Sequence, residues 1–80
     1  MRIIDNIPHD RLTINIFSMN DKYQVQFLAG QMEQTFKFSH TDINGVDGIK
    51  KLVDDEFIKK VLDRFNEMYL SFKEAKERIS

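Results

Sequence analysis

Between Arg11 and Ser39 apolar residues fall on every second position, the period of strands with one buried and one wet face. In the first run Leu12, Ile14 and Ile16 share one face, and Arg11, Thr13, Asn15 and Phe17 share the other. The second run turns Tyr23, Val25, Phe27 and Ala29 inward, with Lys22, Gln24, Gln26 and Leu28 outward. In the third, Met32, Phe36 and Phe38 face inward with Gln34 as the one polar residue among them, while Glu33, Thr35 and Lys37 face outward.

The turns between these runs agree with one another. Gly30-Gln31 suits a two-residue type II′ hairpin, because the first turn position needs a positive φ that glycine adopts without steric cost. That turn pairs Phe27 with Gln34, Val25 with Phe36 and Tyr23 with Phe38. Asn20-Asp21, read as a type I′ turn, pairs Met19 with Lys22, Ile16 with Val25 and Ile14 with Phe27. Both registers put the apolar faces on the same side, and a slip of one residue would expose an entire apolar set.

After Ser39 the pattern changes. Residues 40–53 form a turn-rich connector with Gly45 and Gly48, in which Ile49 to Val53 can make a short helical turn. Asp54 then offers an N-cap, and Asp55 and Glu56 place negative charge over a first helical turn. From 54 to 79 the spacing is helical, with Phe57, Ile58, Val61, Leu62, Phe65, Met68, Tyr69, Phe72, Ala75 and Ile79 on one broad stripe. Asp55–Lys59, Glu56–Lys60 and Glu74–Arg78 are favourable i,i+4 pairs. Residues 1–10 carry Ile3, Ile4 and Ile7, with Pro8 holding Ile7 extended, and serve either as a short edge strand or as a strap over Phe17, Met19 and Leu28. The expectation is a single α+β domain: a three-stranded antiparallel meander over 11–39, packed on one face by a long C-terminal helix.

Lengths sharpen this picture. A helix of about 25 residues runs roughly 37 Å, whereas strands of about seven residues span only roughly 23 Å. The helix therefore overhangs its sheet, yet Ile58, Val61, Phe65, Met68, Phe72, Ala75 and Ile79 continue the alternating steps of three and four that make a coiled-coil seam. Met68, Tyr69, Phe72, Ala75 and Ile79 are the expected interface, with a second copy of the chain, as a homodimer, or another protein as the partner.

Composition narrows the chemistry. Eighty residues make one small domain, and 12 Lys+Arg against 13 Asp+Glu leave a net charge of −1. The stretch through Ile43 holds Arg2, Arg11, Lys22 and Lys37 against Asp5, Asp10, Asp21, Glu33 and Asp42, so neither half of the chain is basic. Without cysteine there are no disulfides, thiolate metal ligands or thiol nucleophiles. His9 and His40 fall at opposite ends of the meander, on the order of 20 Å apart, too far to share a metal or a substrate atom. The segment from Asp42 to Val53 misses the glycine and the final bidentate Glu of a calcium loop. Asp54, Asp55 and Glu56 read as capping and solvated charge rather than acid/base groups. No catalytic, cofactor or metal residue is assigned, and the expectation is a non-enzymatic protein. With neither a secretory signal nor a long apolar run, the cytoplasm is its expected place.

One alternative belongs to a different class. In element order, three strands then a helix, the chain resembles the DNA-binding domains of the plant AP2 type and the amino-terminal domains of some phage integrases. That resemblance implies nucleic-acid binding through the open sheet face, carried here by Arg11, Lys22 and Lys37. Glu33 dilutes these few cations, so phosphate contacts are scarce.

Overall fold

The computed structural model describes residues 2–43 and 45–79; Met1, Asn44 and Ser80, which belong to the expected N-terminal segment, connector and chain end, lie outside the described residues. Four strands and two helices follow one another: β1 (Arg2–Ile7), β2 (Thr13–Ser18), β3 (Lys22–Ala29), β4 (Met32–Ser39), α1 (Gly45–Leu52) and α2 (Asp55–Ile79). The strands form one antiparallel sheet in the order β1-β2-β3-β4. The fold is α+β, an antiparallel meander with a long C-terminal helix, and the segment before residue 10 supplies its edge strand.

The alternation of the sequence sets the rows of the sheet. On the inner face Ile7, Ile14, Phe27 and Gln34 lie in one row, and Asp5, Ile16, Val25 and Phe36 in the next. On the outer face Asn6, Asn15, Gln26 and Thr35 form one row, and Ile3, Phe17, Gln24 and Lys37 another. Every cross-strand pair expected for the two hairpins is present. Gly30 adopts a φ of 60°, which fits the type II′ turn.

The other turn departs from expectation. Met19 and Lys22 close it with reciprocal backbone hydrogen bonds of 2.8 and 3.4 Å, but among the described residues no non-glycine has a positive φ. Asn20-Asp21 is therefore not type I′. Without glycine at the second position the left-handed pair of conformations is costly, and the register survives because the turn keeps its two-residue length.

Of the two options for the N-terminal segment, the edge strand is realised as β1, in which Ile4 is the extra residue of a bulge between Ile3 and Asp5; it and Ile7 pack on the core, and only Ile3 lies beside Phe17 on the outer face. Two boundaries differ. The first strand of the meander starts at Thr13, leaving Arg11 in the turn before it. The connector holds a full helix, α1, rather than a single turn. Ile49 and Val53 from this stretch are buried with Leu12, Ile14, Ile16, Val25, Phe27, Ile58, Val61 and Phe65. Lys50 of α1 reaches Asp5 of β1 at 2.7 Å. A Cβ on Gly48 would lie 2.9 Å from Ile43 Cγ2, so the glycine lets α1 settle on Ile43. With β1 and α1 added, the order is no longer three strands and a helix, and the likeness to the AP2 type and integrase domains lapses at the level on which it rested.

Candidate interaction surface on the helix overhang

Asp54 starts α2 as its N-cap, accepting the Phe57 N–H on Oδ1 at 2.9 Å, while its carbonyl accepts the Ile58 N–H at 2.9 Å. Of the three expected i,i+4 pairs, Glu56–Lys60 is formed, at 3.9 Å; among the described residues Asp55–Lys59 and Glu74–Arg78 are not.

The contacts of α2 fix its direction. Phe57 packs on Phe36 and Phe27, with ring centroids 5.3 and 5.8 Å apart. One helical turn on, Gln34 Nε2 donates to the Val61 carbonyl at 2.9 Å. Met68 and Phe72 then share a shallow groove with Gln31 and Met32. The helix thus runs antiparallel to β4 and leaves the sheet at the Gly30-Gln31 turn. Phe65 is its last buried residue, and beyond Phe72 every described residue except the half-buried Ala75 is exposed. From Phe65 to Ile79 the helix covers about 21 Å. The molecule is correspondingly elongated, 47 × 25 × 19 Å, with a radius of gyration of 14.5 Å against about 12 Å for a compact chain of this length.

The overhang carries four of the five expected interface residues in the open, with Ala75 half-buried. Met68 is 36% exposed, Tyr69 52%, Phe72 53% and Ile79 86%. Lys76 holds its ammonium 5.7 Å from the Phe72 ring, and Tyr69, Phe72, Lys73, Lys76 and Glu77 line a second shallow groove. Leu70, 44% exposed on the opposite side of the helix, lies off the seam and does not extend it.

The cations of the open sheet face are not brought together. Lys22 and Lys37 lie toward the Ser39 end, Arg11 beyond the opposite end. Between them Asn15 Nδ2 donates to Gln26 Oε1 at 3.5 Å, and Gln26 Nε2 donates to the Glu33 carboxylate. The face is a ladder of amides crossed by one acid.

The histidines occupy opposite ends of the sheet. His9 Nδ1 accepts the Arg11 N–H at 3.0 Å; the Asp10 carboxylate, 3.5 Å from the same nitrogen, meets a lone pair already engaged rather than a proton. The His40 ring lies against Tyr23 with centroids 4.1 Å apart, and its Nε2 is buried without a hydrogen-bond partner. Among the described residues no three His, Asp or Glu converge on a metal-sized site, and no helix is long and apolar enough to cross a membrane. The Asp5 carboxyl is held below its usual pKa by the hydrogen bond from Lys50 and then by the backbone N–H of Asn6.

No protein-family model, curated protein or solved structure matches this chain.

Proposed function

We propose that this protein is a small non-enzymatic assembly module whose α2 overhang docks against the same segment of a second copy. The supporting observation is the continuity of the seam: the stripe that Ile58, Val61 and Phe65 bury against the sheet passes without a break into Met68, Phe72, Ala75 and Ile79, which the described chain covers only in part. The exposed parts of Met68, Tyr69, Phe72 and Ile79 amount to about 450 Å² if each side chain offers about 200 Å². With the polar flanks that accompany such a stripe, this approaches the roughly 800 Å² that each partner contributes to a standard interface.

The charges favour a copy of the chain. Glu67, Glu74 and Glu77 balance Lys73, Lys76 and Arg78 along the overhang, so it presents no field that selects a strongly acidic or basic partner. A second copy brings an identical apolar stripe. Because the chain has no cysteine, a single introduced thiol is a clean reporter. Ala75→Cys should be joined into dimers by a short bis-maleimide, and Leu70→Cys, on the far side of the helix, should not. Equal cross-linking at both positions would contradict the reading.

A further inference from the structure

The outer edge of β4 is a second self-complementary surface. It runs for eight residues without a bulge or a proline, in unbroken register with β3 from Lys22↔Ser39 to Ala29↔Met32. Such an edge invites pairing with another strand. The opposite edge is managed differently, since β1 carries a bulge and is tied to α1 through Asp5 and Lys50.

Hydrogen-bond alternation shows which groups are free. In a two-residue hairpin the residues flanking the turn, Ala29 and Met32, exchange backbone hydrogen bonds. Met32, Gln34, Phe36 and Phe38 therefore direct their N–H and C=O groups to β3, and Glu33, Thr35 and Lys37 direct theirs away from the sheet. Ser39 ends this row, because its carbonyl accepts the Asp42 N–H at 3.0 Å.

We propose that β4 pairs antiparallel with β4 of a second copy about a two-fold axis at Thr35, joining two sheets into one. In this register Thr35 faces Thr35, and Glu33 faces Lys37 of the second copy on both sides of the axis. Each of the three residues exchanges its backbone hydrogen bonds with its opposite number, and both the Thr–Thr and the opposite-charge pairs are favourable across strands. The neighbouring registers lose this match. Centring on Glu33 or Lys37 opposes like charges, and centring on Gln34 or Phe36 sets both charges against neutral residues.

Phe57 touches Phe27 of β3 and Phe36 of β4, so α2 lies over that half of the sheet, and the pairing sets the two α2 helices side by side on one face. The surface is separate from the helix seam and does not depend on it; a chain with both would assemble past the dimer.

The test is made in the Phe72→Asp background, where the seam is disabled and only the edge can associate. Sedimentation equilibrium should find a dimer. Glu33→Lys and Lys37→Glu should each weaken it about tenfold or more, and the two together should restore it, since the charges are then exchanged and again opposed. A monomeric Phe72→Asp protein, or a double variant no tighter than the singles, would overturn the proposal. Failure here leaves the cross-linking result at Ala75 unaffected, so the two surfaces are judged separately.

Discussion

Gln34 Nε2 and the Val61 carbonyl, 2.9 Å apart, join β4 to α2. Gln34 is the polar residue on the inner face of β4, and the carbonyl it meets also lies in the i→i−4 ladder of α2, which leaves a second lone pair for the amide. A glutamine there holds α2 over β4 at a fixed height and leaves no polar atom stranded.

Gln34→Glu should therefore be destabilising near neutral pH, where a carboxylate without a proton would face a carbonyl oxygen. The expected loss is about 1–3 kcal/mol, the cost of an unsatisfied acceptor in a part-buried site. The deficit relative to wild type should shrink near pH 4, where a protonated carboxyl can donate as the amide does. Urea unfolding of both proteins at the two pH values measures this.

Phe65 and Phe72 stand two helical turns apart on one stripe, but only Phe65 is buried, at 4% exposure. Phe65→Ala should cost about 3–5 kcal/mol, a large share of the stability of so small a domain. Phe72→Ala should cost less than about 1 kcal/mol at protein concentrations low enough to dissociate the assembly, because about half of its surface stays in solvent within one chain. Denaturant titrations at low micromolar concentration distinguish them.

Asp5 links stability to acid. Its pKa is lowered by Lys50 and by the Asn6 N–H, so the folded state holds its ionised form more tightly than the unfolded state does. That contribution is complete above the usual aspartate value of about 3.9, and it is lost as the pH falls through the lowered folded value. Asp5→Asn should flatten the acid limb of the stability curve while leaving its slope above pH 5 unchanged. A carboxyl NMR titration of Asp5 should give a midpoint below that of an unfolded control peptide.

Strand pairing was legible in the sequence because the period of two and the two-residue turns constrain each other; Ile16↔Val25 and Val25↔Phe36 follow from those constraints alone. β1 was readable only as one of two options, since the bulge at Ile4 breaks the alternation by which a strand is recognised. α1 reads in the sequence as no more than a turn because Gly45 and Gly48 are poor helix formers; its place is decided by burial of Ile49 and by close approach to Ile43, which are tertiary facts. The type of the Asn20-Asp21 turn is not legible in the sequence, because several two-residue turns satisfy the same register. The overhang was legible from length alone, since rise per residue differs between helix and strand, and Met68, Tyr69, Phe72 and Ile79 are open as that difference requires. Arg11 shows the converse: its alternation assigned it to the sheet face, but it precedes β2, and pattern alone does not say where a strand begins.

Whether a second copy covers the α2 overhang is read from the mass of the assembly. Sedimentation equilibrium at high micromolar concentration should find the wild-type chain above monomer mass and the Phe72→Asp variant well below the wild-type value, with its thermal transition retained. A wild-type monomer, or equal masses for the two proteins, would contradict the account.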